Sequence, residues 1–161
     1  MRHGVWLLAV ALGLVACRAQ EPALDQALTV EPMTLARSAR CAPGDARVRW
    51  FDDADALVAG TGSLVDAGTA DGLDWRSQAA VGVWLGERPT AGYGLSLADS
   101  RQQGDRLELV VRRQTPPADA MVAQVITYPC LIVTVPRTGY STLQVVDDDG
   151  ANLGRLRPGV E

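Results

Sequence analysis

Few side chains in this sequence are suited to catalysis. The 161 residues include one histidine, His3, and the basic side chains are otherwise all arginine. A Ser-His-Asp or Cys-His arrangement needs an imidazole, while Ser-Lys dyads and Schiff bases need a lysine amine. His3 precedes an apolar run typical of a cleaved export signal. The mature chain is therefore predicted not to be an enzyme, and no cofactor or small-molecule substrate is inferred from it.

Two acidic clusters raise the question of a metal site. Asp147-Asp148-Asp149-Gly150 has the residue types of a calcium loop. Such loops alternate their ligands so that several oxygens converge, whereas consecutive side chains of an extended segment point to opposite faces. A hairpin turn is the favoured interpretation. The cluster of Asp52, Asp53 and Asp55 is interpreted as a solvated helix start, so no metal site is predicted.

Cys17 lies where a cysteine can be lipid-modified. The residues from Val5 to Ala16 are twelve apolar residues, too short for the roughly 20 that cross a bilayer as a helix. Leu14-Val15-Ala16-Cys17 resembles the lipobox of bacterial lipoproteins. The resemblance implies a signal peptide over residues 1–16, cleavage before Cys17, and acylation of its sulfur. The expected location is the cell envelope, at the outer membrane if the host has two membranes, because Arg18 follows instead of Asp. An ordinary signal peptide with an incidental cysteine is the alternative.

The other two cysteines, Cys41 and Cys130, are 89 residues apart. An exported protein meets an oxidising compartment in which disulfides persist. Bridging a loop of that length restrains the unfolded chain by roughly 4 kcal/mol in the entropy model. We therefore favour a Cys41–Cys130 disulfide, with two free thiols as the alternative.

Composition suggests one small acidic domain on a tether. Without residues 1–16, 14 arginines stand against 19 acidic residues, and no basic face for nucleic acid is expected. No second apolar stretch is long enough to span a membrane. Residues 17–40 contain two prolines and no sustained period, so they are predicted to be the lipidated cysteine and its tether. Residues 41–161 are predicted to be the folded domain.

Periodicity then predicts the elements of that domain. Acids in the first turn and a closing glycine predict a short helix over 52–60, followed by a loop over 60–74. Apolar residues alternate with other residue types from residue 79 onward, which favours β-strands separated by Gly, Pro and Asp turns. The predicted strands cover 81–85, 93–97, 107–112, 121–128, 130–135 and 142–146, with a last short strand at Leu153 and Leu156. The fold class expected is mainly β: a single antiparallel β-sandwich or barrel-like domain with one short helix near its N-terminal side.

The order of motifs over residues 50–146 resembles the C-terminal domain of the PrcB family of protease-complex subunits. The motif residues are Gly86-Glu87, Pro89-Thr90, Gly92-Tyr93, Gly104-Asp105, Pro117 and Pro129. Ala91 and Cys130 depart from the pattern, which often has a second Gly and an aromatic there. The resemblance implies an exported, non-catalytic accessory subunit, often a lipoprotein, whose partner is a protease.

The loop over residues 86–93 is the predicted partner-binding site. Pro89 restricts the backbone, Gly92 can adopt positive φ, and Arg88, Thr90 and Tyr93 are the expected contact residues. A structural hairpin with Tyr93 in the core is the alternative. Pro89-Thr90-Ala91-Gly92-Tyr93 is also similar to a loop of the chagasin-type cysteine-protease inhibitors, so an inhibitor using the 86–93 loop is the alternative function. That family needs two further loops, for which Gly60-Thr61-Gly62 and Arg157-Pro158 are poor matches.

Overall fold

The computed structural model describes residues 31–158, which form eight strands and two short helices. The predicted signal peptide, Cys17 and the first part of the predicted tether lie outside these residues. The strands are β1 Met33–Ser38, β2 Arg47–Phe51, β3 Gln78–Trp84, β4 Gly94–Gln103, β5 Arg106–Gln114, β6 Cys130–Pro136, β7 Thr142–Asp147 and β8 Asn152–Leu156. The helices are α1 Ala54–Thr61 and α2 Ala67–Asp71.

The strands form two four-stranded sheets, in the orders β1-β6-β3-β2 and β4-β5-β7-β8. All neighbours are antiparallel except β5 and β7, which run parallel. The predicted β-sandwich class is thus confirmed, and the expectation of a wholly antiparallel sheet is wrong for one pair. The chain crosses to the first sheet to form β6 before it returns as β7, and a crossover of that kind can bring a strand back parallel.

The main core lies between the sheets. Alternate residues of β3 and β6 meet alternate residues of β5 and β7 there, among them Val81, Leu109, Val133 and Val145. The other faces of β3 and β6 are buried as well, under the helical segment, by Ala80, Trp84 and Ile132 together with Phe51 and Leu57. Burial on both faces explains why these two strands are nearly continuous apolar runs.

The predicted helix over 52–60 is confirmed as α1. The Asp53 side chain caps it by accepting a hydrogen bond from the Ala56 N–H at 2.7 Å, which is the ordinary role of an N-cap carboxylate. The segment predicted as a loop also contains the five-residue helix α2, capped in the same way by Asp66. Hydrogen bonds from Thr69 lower the pKa of Asp66. A helix this short has too few turns to produce an apolar period, so the sequence pattern did not predict it.

Two boundaries differ from those predicted. Residues 33–38, expected to belong to the tether, form edge strand β1, in which Ser38 is paired with Cys130. The folded domain therefore includes Met33, because the free edge of β6 offers hydrogen bonds that a short, weakly patterned segment can satisfy. Conversely, residues 121–126 of the predicted 121–128 strand lie outside any strand, and bridges form at Thr127 and Tyr128.

Arg137 fastens the helical segment to the sheets. Its guanidinium donates to the backbone carbonyls of Asp52 and Trp75 at 3.0 and 3.1 Å, and to Asp52 Oδ1 at 3.0 Å. Trp50 Nε1 donates to the same carboxylate oxygen at 2.9 Å. Within residues 31–158, no helix is long and apolar enough to cross a membrane.

Candidate protein-interaction surface

The two ends of the sandwich are built differently. One end, here called the loop end, carries the 86–93 loop, the long 115–129 connection and the 148–151 turn. The opposite end carries Met33 and the 137–141 connection, because Met33 pairs with Thr134 while Ser38 pairs with Cys130. The chain therefore enters the described domain at the end remote from the 86–93 loop.

Two glycines give the 86–93 loop its shape. Gly86 has φ of 75° and Gly92 has φ of 94°, in the region that side-chain-bearing residues rarely adopt. A Cβ at Gly86 would lie 2.9 Å from the Ala46 backbone nitrogen, and a Cβ at Gly92 would lie 2.9 Å from Pro116 Cβ. The positive φ predicted for Gly92 is confirmed.

Main-chain hydrogen bonds join this loop to the 115–129 connection. Arg88 and Thr127 exchange N–H···O bonds of 2.8 and 2.9 Å, and the Ala91 N–H donates to the Ala123 carbonyl at 3.0 Å. The buried Thr127 hydroxyl donates to the Thr90 carbonyl at 3.0 Å. The loop is thus fixed at several points along its length, and a fixed loop loses little conformational entropy when it binds a partner.

The structure brings Arg88 and Tyr93 together, and it engages the Thr90 hydroxyl in a local hydrogen bond. The Arg88 guanidinium lies over the Tyr93 ring, 6.0 Å from its centroid, at the outer range of a cation–π contact. Both side chains are half-buried. The Thr90 hydroxyl donates to the carbonyl of the next residue, Ala91, at 3.1 Å. Tyr93 is neither enclosed in the core between the sheets nor fully exposed, and the binding role of all three residues stays a prediction.

Two surface cavities lie on either side of Tyr93. The larger, about 380 Å³, is bordered by Arg88, Tyr93, Arg113 and Gln114, with Asp148 and Asp149 across from them. The smaller, about 280 Å³, lies between Tyr93 and the 37–39 segment and shares Gln114 with the first. Tyr93 and Gln114 therefore border both of these neighbouring cavities at the loop end.

Asp147 organises the turn that borders the larger cavity. It is buried, its Oδ1 accepts from the N–H groups of Asp149 and Ala151 at 3.1 and 2.6 Å, and its Oδ2 lies 2.6 Å from Arg113 Nη2. Oδ2 has no directed hydrogen bond, so the arginine balances its charge by contact. The predicted hairpin turn is confirmed. Within residues 31–158 no group of three or more His, Cys, Asp or Glu residues is placed to hold a metal ion.

A hydrogen bond beside the loop involves Tyr128. Its hydroxyl donates to Glu87 Oε2 at 3.0 Å, and this bond raises the pKa of Tyr128. The Glu87 carboxylate is thereby occupied by a neutral donor close to Arg88.

The 115–129 connection carries a set of exposed apolar side chains that the sequence pattern does not predict. Met121 is fully exposed, while Val125 and Ile126 are 48% and 59% exposed. These three residues are called the apolar strip below. Residues 121–128 are predicted to form a strand, and nothing in their residue types signals that residues 121–126 leave the sheet. Met33, 59% exposed, is the other large exposed apolar residue among residues 31–158, and it lies at the opposite end.

The predicted disulfide between Cys41 and Cys130 is confirmed, with the two Cα atoms 6.1 Å apart. It lies at the loop end, where the Cys41 N–H also donates to the Tyr128 carbonyl and the Tyr128 N–H to the Ala39 carbonyl. The segment after β1, the 115–129 connection and the start of β6 are therefore held to one another.

The arrangement defines a class: a disulfide-bonded, two-sheet β-sandwich with a preshaped loop end. Residues 79–136 match the family model described as PrcB C-terminal. The match runs from β3 to β6 and includes both the 86–93 loop and the apolar strip, so the resemblance to the PrcB family is confirmed over these residues. Neither a curated protein sequence nor a solved structure matches the chain.

Proposed function

We propose that this protein is a non-catalytic accessory lipoprotein of the cell envelope that binds a protein partner through its loop end. The observation that carries the proposal is the apolar strip, which lies in a connection hydrogen-bonded to the preshaped 86–93 loop. Three large exposed apolar side chains within residues 121–126 are more than the isolated ones common on protein surfaces, and such concentrations mark interaction sites.

The apolar strip and the loop supply complementary parts of an interface. Met121, Val125 and Ile126 provide apolar area, and Arg88 and Tyr93 beside them are of residue types that often dominate binding energy. Because the backbone is fixed by hydrogen bonds to the 86–93 loop, little ordering cost opposes binding.

The end of the sandwich at which β1 begins supports a protein partner over the bilayer itself. Lipid on Cys17 would hold the chain at a membrane surface, and 16 residues from Cys17 to Pro32 lead to β1. Since β1 begins at the opposite end, the loop end is the end of the sandwich remote from the point where the tether joins the domain. We propose that it points away from the membrane, towards proteins of the envelope.

We propose a protease, or a complex that contains one, as the partner. The support is the PrcB C-terminal match over residues 79–136, since the resemblance is to subunits of protease complexes. The alternative of a chagasin-like inhibitor gains no support from the geometry. Arg157-Pro158 follows β8, whose Leu156 pairs with Leu143 at the opposite end of the sandwich. The third inhibitory loop would thus lie far from the 86–93 loop.

The anchoring part of the proposal is tested by Cys17→Ser. The acylated wild-type protein should partition into detergent and sediment with membranes, since several buried acyl chains give durable anchoring. The variant should stay unprocessed or leave the membrane fraction. Unchanged membrane association of a processed Cys17→Ser protein would contradict lipid anchoring.

The binding part is tested by Ile126→Ser, with Met33→Ser as the matched control. Both side chains are 59% exposed, so either change should alter the free energy of unfolding by less than about 0.5 kcal/mol. After chemical crosslinking in the native host, Ile126→Ser should recover several-fold less of the partner than wild type, while Met33→Ser should recover as much. Equal recovery by the two variants would refute the assignment of the loop end.

A further inference from the structure

We infer that the larger cavity at the loop end receives a carboxylate from the partner, with the Arg88 guanidinium as its counter-charge. The partner would then present an acidic side chain next to apolar ones. The inference rests on the proposed function and specifies the chemistry of the partner.

The charge of Arg88 has no acidic partner among residues 31–158. Ion pairs form there at Arg101, Arg112, Arg113 and Arg137, each with an aspartate. Arg88 Nη1 instead donates to the carbonyl of Glu87, at 3.1 Å. One oxygen of the Glu87 carboxylate, Oε2, accepts from the Tyr128 hydroxyl, and this carboxylate forms no ion pair with Arg88. A guanidinium has five N–H donors in a planar fork, so most of the hydrogen-bonding capacity of Arg88 remains for a ligand.

The surroundings of Arg88 prepare it for such a ligand. The side chain is half-buried, lies over the Tyr93 ring, and borders the cavity of about 380 Å³. A partly desolvated and oriented guanidinium binds carboxylates more strongly than one that is free in water. Gln114 and Thr115 add neutral polar groups to the same wall.

The acidic residues of the cavity limit the ligand to a single negative charge. Asp148 lies 3.6 Å from the Arg112 side chain, and buried Asp147 is balanced by Arg113. Asp149 also borders the cavity and has no ion pair within residues 31–158. A dianionic phosphate or a nucleic-acid backbone would meet repulsion from this side. A lone carboxylate carries less charge than a dianionic phosphate and would meet correspondingly less repulsion.

The position of the apolar strip beside the backbone partner of Arg88 indicates which residues of the partner protein flank its acidic side chain. Arg88 is paired through its backbone with Thr127, and Ile126 directly precedes Thr127. The Ile126 backbone therefore adjoins that of Arg88, and a partner segment that places a carboxylate at Arg88 can extend beyond the cavity to reach the Ile126 side chain, which does not itself border the cavity. Apolar residues next to the acid would cover this side chain.

The test uses two acetylated and amidated pentapeptides, Ala-Val-Glu-Val-Ala and Ala-Val-Gln-Val-Ala, titrated onto the full chain in detergent and followed by NMR. The glutamate peptide should bind at least about 5-fold more tightly than the glutamine peptide at low salt. Arg88→Gln should remove that preference. Arg101→Gln, at an exposed, ion-paired arginine of β4, should keep it.

Failure of this inference is distinguishable from failure of the proposed function. Equal binding of the two peptides, binding of neither, or a preference that survives Arg88→Gln would overturn the carboxylate site. Partner recovery with Ile126→Ser and Met33→Ser reports on the loop end without reference to any acidic group.

Discussion

At the scale of single residues, Gly92 and Thr127 fix the geometry of the candidate site. Gly92 lets the chain turn back within van der Waals contact of Pro116, and Thr127 bonds the loop through its backbone and its hydroxyl. The loop and the 115–129 connection consequently form one surface, so a change to either should alter the other.

Gly92→Ala should destabilise the protein by about 2 kcal/mol, because it places a side chain at positive φ and against Pro116. Gly104→Ala is the control: its φ is 60°, and a Cβ there would meet nothing within 4 Å. It should cost about 1 kcal/mol from the backbone alone. Urea denaturation of both variants measures the difference, and equal losses would show that contact with Pro116 does not shape the loop.

At this scale, the predictions made from single residues are confirmed where the residue type has one main structural role. The positive φ of Gly92, the helix start at Asp52, Asp53 and Asp55, and the pairing of Cys41 with Cys130 all follow from residue chemistry and compartment. The exposure of Val125 and Ile126 did not follow, since apolar residues in an extended run usually belong to a strand that faces a core. Thr90 was predicted as a contact residue from its hydroxyl, which the structure shows bonded to the adjacent carbonyl.

At the scale of elements, the helical segment between β2 and β3 depends on Arg137 for its attachment. This side chain from the opposite end of the sandwich bonds carbonyls on both sides of the segment, at Asp52 and Trp75. The helices cover the outer faces of β3 and β6, and the apolar residues between the helices and these strands are thereby buried from solvent.

Arg137→Leu should lower the free energy of unfolding by about 2 kcal/mol, since two carbonyls and a carboxylate lose their donor. Arg101→Leu is the matched control because Arg101 pairs with Asp99 where both side chains are at least half exposed. It should change stability by less than about 0.5 kcal/mol. Similar unfolding midpoints for the two variants would mean that Arg137 does not hold the segment.

The elements that sequence patterns predicted correctly are those with a strong period or a clear boundary. α1 and β3 to β8 fall near the expected positions, whereas β2 was not predicted and residues 121–126 of the predicted 121–128 strand lie outside any strand. β1 was missed because its strand character comes from the open edge of β6. The parallel pairing of β5 with β7 was missed because it depends on the route of the chain between the two sheets. Both are tertiary effects that local periodicity does not encode.

At the scale of the whole molecule, the disulfide links the segment after β1 to β6 at the loop end. The unfolded protein should show two reactive thiols from Cys41 and Cys130 after reduction and neither before it. Reduction should lower the free energy of unfolding by roughly 4 kcal/mol in the chain-entropy model. Thiol titration in denaturant and urea unfolding with and without reductant give the two measurements. Two thiols in the unreduced protein would contradict the bridge.

The central claim is that the loop end is the surface through which this protein meets its partner. The most direct measurement is site-specific photo-crosslinking in the native host, with a benzophenone side chain at position 126 and, separately, at position 33. Because the two native side chains are equally exposed, random collisions should label both positions alike. We predict a discrete protein adduct from position 126 and none from position 33. An adduct from position 33, or no adduct from position 126, would contradict the account.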